Sequence, residues 1–205
     1  MAVVSADTND ETLMVRYQRG DRQAFALLVK RHHRPIYNFV LRQLRQPNTA
    51  EDVTQEVFLR VVQNASEFKH EARFSTWMYT IARNLCIDHL RKAMHRRHPS
   101  LDQPLGPGEE PRALGDVVAD AAPAASAERN VASSQMLTIL THAVETLPEE
   151  QREVFLLREV ANLPFKEIAD VTGVAENTVK SRMRYALDRL RAALSDFEEY
   201  ARALR

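Results

Sequence analysis

An all-α chain of two small helical domains, joined by a flexible acidic linker and with a helix-turn-helix in the second, is predicted by three features of the sequence. Apolar residues make up 44% and charged residues 27% of 205 positions, a globular balance, and only 5 glycines with few β-branched runs favour helix over sheet. Apolar residues recur at three- and four-residue spacing on both sides of one interruption. That interruption, residues 99–130, concentrates proline, glycine, alanine and acid without an apolar period, a composition that buries too little surface to order itself. The expected division is a disordered N-terminus over 1–10, a first domain over 11–98, the linker over 99–130 and a second domain over 131–205.

In the first domain, Asp21 is placed to cap a helix in which Phe25, Leu28, Val29, His32, Ile36 and Val40 share a face, with Pro35 introducing a kink or register change. Asn48 or Thr49 is then the expected cap of a helix that buries Val53, Val57 and Val61. The opposite stripe, Asp52, Gln55, Glu56 and Leu59, is left exposed with no local use. A polar interval from Asn64 to Arg73 precedes Ser75, the expected cap of a third helix. Its apolar face is Trp77, Met78, Ile81, Leu85 and Cys86; its other side carries Tyr79, Thr80, Arg83, Asn84, Asp88, Arg91 and Lys92.

Beyond the linker, Ala132 to Thr146 reads as an amphipathic helix, and Leu147-Pro148-Glu149-Glu150 opens another through about Val160. Phe165 to Leu190 then has the spacing of a helix-turn-helix. Ala169 is small where the two helices touch, Gly173 suits a turn that needs positive φ, and Val174 follows it. With Val179, Met183 and Leu190 facing inward, Asn177, Lys180, Ser181 and Arg184 face outward near the start of the second helix, the end that reads bases. Arg182 or Arg189 is expected to contact phosphates. The tail from Asp196 to Arg205 has no assigned role beyond continuing the last helix.

Formal charge sums to zero, but its distribution is uneven. Basic residues gather at Arg83–Arg97 and Lys180–Arg191, and acids between Asp102 and Glu128, a pattern that suggests two nucleic-acid contact points. The single cysteine, Cys86, forms no internal disulfide and reads as a small core residue in a reducing compartment. No run approaches the roughly 20 apolar residues that span a bilayer, and Met1 to Asp10 lacks the features of a signal peptide, so a cytoplasmic protein without membrane insertion is expected. An enzyme is not expected, nor a metal or cofactor, because no phosphate-binding glycine loop, metal-ligand cluster or nucleophile elbow is present. Adjacent helical residues point apart, which makes His32 and His33 one core and one surface residue rather than a metal pair.

Three segments, AEDVTQEVFLRVVQN, FSTWMYTIARNLCIDHLRK and LPEEQREVFLLREVANLPFKEIADVTGVAENTVKSR, stand in an order that resembles the extracytoplasmic-function sigma factors, group four of the primary sigma factor superfamily. The resemblance covers the chain after its first ten residues. It implies an alternative sigma factor, responsive to stress or an envelope signal, that binds core RNA polymerase through the β′ clamp helices and also β. On that resemblance Asp52, Gln55, Glu56 and Leu59 are the polymerase contacts.

The second segment would meet the minus-ten element, with Phe68, Lys69, His70 and Arg73 suited to a loop that captures a flipped base. Arg83, Asn84, Arg91, Lys92, Arg96 and Arg97 would track the DNA strand, although basic residues near a helix C-terminus also complement its dipole. The third segment would read the minus-thirty-five element through Asn177, Thr178, Lys180, Ser181, Arg182 and Arg184. Asn177 stands where the family often has glycine, and Leu187 and Asp188 where basic residues are common, which bear on base choice and phosphate affinity. An anti-sigma factor is the expected regulator. Two rivals remain open on sequence: a polymerase-independent helix-turn-helix regulator, which leaves the Asp52 stripe unused, and a helical adaptor that binds only proteins.

Overall fold

The computed structural model describes residues 8–69, 73–97 and 139–203, with no side-chain description at 95–97 or 196–203. The linker over 99–130, residues 1–7, His70 and the first turns of the helix expected from Ala132 lie outside the described residues. All elements among the described residues are helical. They are α1 (Asp10–Gln18), α2 (Arg22–Leu44), α3 (Pro47–Gln63), a 3₁₀ turn at Ala65–Glu67, α4 (Phe74–Arg97), α5 over 139–146, α6 (Glu149–Glu159), α7 (Phe165–Thr172) and α8 (Glu176–Ala203).

The first helical group packs α1, α3 and α4 around α2. Asp21 caps α2 as expected, its carboxylate accepting from the amides of Gln23 and Ala24, and it also holds Arg16 at 2.7 Å across the turn from α1. Pro35 lies inside α2 without ending it; the helix loses one amide donor but keeps both sides anchored through Leu28, Ile36, Phe39 and Val40, all fully buried. Phe25, Val29 and His32, predicted on the same face, are half-buried at its edge.

Three helix starts differ from expectation. Asn9, assigned from sequence to the tail, caps α1 by accepting from the Thr12 amide, so the ordered chain begins earlier than residue 11. Neither Asn48 nor Thr49 caps α3: Pro47 takes the first helical turn, where its missing amide costs nothing, and Gln46 is the cap residue. Ser75 does not cap α4: the Glu11 carboxylate of α1 accepts from the Phe74 amide, and the helix starts at Phe74, two residues before the start a Ser75 cap would give. A tertiary acceptor here replaces the local one.

The second group is α5 to α8. Leu147, Val154, Leu156, Leu157, Leu163, Ile168, Val171, Val179, Met183, Ala186 and Leu190 form its buried side. α7 ends on Gly173 at φ 71°, whose amide donates to the Ala169 carbonyl, and this left-handed residue turns the chain into α8. The two groups meet where α4 packs on α7 and α2 approaches α6. No helix among the described residues is long and apolar enough to cross a membrane.

Candidate nucleic-acid and polymerase interface

Three surfaces collect the residues singled out by sequence. The first is the outer side of α3. Ala50, Val53, Thr54, Val57, Phe58 and Val61 turn inward, which forces Asp52, Gln55 and Leu59 out to solvent, with Glu56 half-buried and bonded to Arg60 at 2.7 Å. Leu59 is 53% exposed, and Val62, three residues on, also faces out. This leaves an apolar pair flanked by acids and an amide on the solvent side of α3. The sequence reading omitted Val62; its position out of phase with the buried valine row was the available signal.

The second surface is the loop before α4 together with that helix. Phe68 departs from its predicted role. Its side chain is 5% exposed and packs on Trp77 and Phe74, with ring centroids 5.3 and 5.9 Å away, so it anchors the loop to the core instead of offering a ring to a base. Lys69 and Arg73 are exposed on either side of His70, which lies outside the described residues. Gln18 of α1 fixes the loop by donating to the carbonyls of Ala65 and Phe68. Beside the loop lies a polar concavity whose lining includes Asn9, Asp10, Glu11, Arg31, Arg73 and Ser75. The sequence reading missed the α1 contribution because Asn9 and Asp10 were assigned to a tail.

Electrostatics stiffen this concavity. Asp10 accepts from Arg31 at 2.6 Å and is paired with His32 Nε2 at 2.7 Å. Burial pushes its carboxyl up, but the hydrogen bonds and charges of His32 and Arg31 outweigh burial and hold it below the usual carboxylate range. His32 is thus turned inward and His33 outward, stacked on Phe58. No group of three or more potential metal ligands occurs among the described residues.

Along α4 the predicted DNA-facing side is only partly exposed. Asn84, Arg91 and Lys92 are at the surface. Tyr79, predicted on that side, is instead 2% exposed with its ring edge-on to Phe39, because α2 covers that part of the helix. Arg83 is half-buried: Nε lies 2.7 Å from Glu153 Oε1 and Nη2 lies 3.4 Å from Oε2. Arg73 meets Glu167 at 3.0 Å, and the Thr76 hydroxyl donates to the same carboxylate. Arg96 and Arg97 fall on the last turn of α4, with side chains outside the described set.

The third surface is the N-terminal half of α8. Val179, Met183, Ala186 and Leu190 are buried, and Asn177, Thr178, Lys180, Ser181 and Arg184 are exposed, the phase predicted. Lys180 pairs with Glu176 one turn back, and Arg184 stacks over Tyr185 at 5.0 Å. Arg182 differs from its neighbours: it is half-buried and bonded to Glu150 of α6 at 2.7 Å, a contact that ties α8 to α6.

Comparison with known proteins matches both halves of the chain. Residues 28–96 match Sigma-70 region 2, and residues 137–190 match Sigma-70, region 4. The RNA polymerase sigma-H factor of Pseudomonas aeruginosa is 32% identical over 188 residues, covering 90% of this chain and 93% of the relative. The ECF RNA polymerase sigma factor SigW of Bacillus subtilis is 32% identical over 179 residues, covering 87% and 93%. Among solved structures, the sigma factor RpoE of Bartonella quintana, in complex with the anti-sigma factor NepR, aligns with a TM-score of 0.63 at 20% identity over 83% of this chain and 96% of that one.

Proposed function

The chain belongs to the extracytoplasmic-function sigma factors and directs promoter-specific transcription initiation as an alternative sigma factor, and we propose that three separate surfaces divide the work. Asp52, Gln55, Glu56 and Leu59, with Val62, dock core polymerase. Lys69 and Arg73, with Asn84, Arg91 and Lys92, engage the minus-ten strand, and Arg83 joins them once released from Glu153. Asn177, Thr178, Lys180, Ser181 and Arg184 read the minus-thirty-five element. The first domain, which opens at α1 and runs to about residue 98, and the second, 131–205, carry these separately, and the linker sets their reach.

The observation that carries this reading is the outer stripe of α3. A helix-turn-helix alone accounts for α7 and α8 but leaves an exposed Leu59 beside Asp52 and Gln55 without a purpose, whereas polymerase docking uses them. Catalysis then belongs to polymerase, and this chain supplies positioning in the cytoplasm. An anti-sigma factor released by a stress or envelope signal is the proposed regulator.

The test adds the purified protein to sigma-free core polymerase from the native host, transcribes genomic fragments and maps RNA 5′ ends. Discrete new starts sharing two upstream elements are expected, and a Gln55→Ala/Glu56→Ala variant should lose them together with core binding. Promoter binding that needs no polymerase, with no new starts, would assign the helix-turn-helix to an independent regulator instead.

A further inference from the structure

We infer that Tyr185 and Leu187 are base-reading residues of α8, an apolar bracket around Arg184 that recognises the 5-methyl group of thymine in the minus-thirty-five element. The inference deepens the proposed function and rests on its assignment of α8 to that element. Val179, Met183, Ala186 and Leu190 fix the buried row of α8, so the opposite positions point away from the core. Asn177, Lys180, Ser181 and Arg184 occupy the middle of that outward side. Tyr185, four residues after Ser181, lies at one edge of it, and Leu187, three residues after Arg184, lies at the other.

Both are large apolar side chains left in water: Tyr185 is 50% exposed and Leu187 43%. Among the described residues, neither belongs to the buried core or to the partly buried shell around it. Single exposed apolar groups are ordinary on a protein surface, but two within three residues, bordering a cation, form a patch continuous with the polar reading side of the helix. That continuity makes duplex DNA the occupant. A phosphate offers an aromatic ring or a leucine nothing to cover. In the major groove the thymine methyl is the apolar feature of the base edges, and it distinguishes thymine from cytosine.

Tyr185 also orients Arg184. The guanidinium carbon sits 5.0 Å from the ring centroid, and Nη2 donates to the phenol oxygen at 3.3 Å. Stacking holds the planar fork in one orientation, the requirement for two parallel hydrogen bonds to O6 and N7 of guanine. Lys180, paired with Glu176 at 2.6 Å, is a point charge that imposes no such orientation. The bracket therefore favours a guanine, read by Arg184, beside a thymine whose methyl lies against the ring or the leucine.

The test uses the full chain assembled with core polymerase on duplex fragments of a mapped promoter, with affinities read by competition. Each thymine of the minus-thirty-five element, on either strand, is replaced in turn by deoxyuridine, which removes the methyl and keeps the base pair. Wild type is expected to lose about fourfold in affinity at one or two positions, the worth of one buried methyl group. Tyr185→Ala/Leu187→Ala should bind the thymine and deoxyuridine fragments equally, with circular dichroism verifying that helix content is kept. Tyr185→Phe should retain the methyl response, since the ring and not the hydroxyl makes the contact; its loss there would overturn an apolar reading. No deoxyuridine effect in wild type, or an undiminished effect in the double variant, would overturn the bracket. A uniform loss by the double variant on every fragment, with weaker core binding, would overturn it by assigning the pair to polymerase. Failure of the α8 assignment itself reads differently: Lys180→Ala/Arg184→Ala would then leave discrimination among minus-thirty-five variants intact.

Discussion

Arg83 and Glu153, 70 residues apart in sequence, face each other at 2.7 Å across the boundary between the helical groups, with side chains only 21% and 13% exposed. Such shielding lets the pair outlast salt that would screen an open surface pair. Reversing Glu153 to Arg should destabilise the full chain, and adding Arg83→Glu should restore about 1 kcal/mol of the loss in a urea double-mutant cycle. A coupling of zero would show that the pair is formed without contributing to stability.

Cys86 reports on the same boundary. Burial, reinforced by the negative charge of Glu153, pushes its thiol up to about 12 from 9.0. At pH 8 the reactive thiolate is then scarcer than in an ordinary cysteine by about a thousandfold, and iodoacetamide should modify the native chain slowly and the urea-unfolded chain quickly. Rapid alkylation of the native protein would contradict the burial.

Asp10 predicts an acid limit to stability. Its carboxyl titrates lower in the folded chain than the ordinary 3.8, so its stabilising contribution is complete above the unfolded value and is lost as pH falls through the folded one. Asp10→Asn should cost about 2 kcal/mol at pH 7, the scale of charge-assisted hydrogen bonds to Arg31 and His32. The gap between variant and wild type should narrow progressively below pH 4 in denaturation measured across pH.

Gly173 separates backbone strain from crowding. A Cβ there meets nothing within 4 Å, yet φ is 71°. Gly173→Ala should therefore lower stability by about 1 kcal/mol through the left-handed conformation alone. Promoter preference should be retained by the fraction that remains folded, as read by competition among promoter variants.

Within α8, neighbouring arginines should behave differently. Arg184→Ala and Lys180→Ala each remove an exposed group and should cost about 1–3 kcal/mol of discrimination among minus-thirty-five variants. Arg182→Ala breaks the bond to Glu150 and should lower stability more than selectivity. A selectivity change in Arg182→Ala as large as in Arg184→Ala, at unchanged stability, would return Arg182 to the base-reading set.

Local patterns in the sequence were enough to determine the helical class, the phase of α3 and the helix-turn-helix. Valines every fourth residue place Asp52, Gln55 and Leu59 outside, and the spacing of Ala169, Gly173 and Val179 places Lys180 and Arg184 on the exposed side, because helical geometry alone relates those positions. The Asp21 cap was equally legible, since its partners are two and three residues away.

Only tertiary structure decided the remainder. Glu11 supplies the acceptor at the start of α4 from 63 residues away, Phe68 turns into an aromatic cluster, and Tyr79 is covered by α2. Arg83 on its helix and Arg73 in the loop before it look from sequence like free cations; folded, they face Glu153 and Glu167. The physical reason is range: backbone periodicity sets which side of a helix a residue occupies, but the charge it meets there comes from a helix that the sequence order does not place beside it.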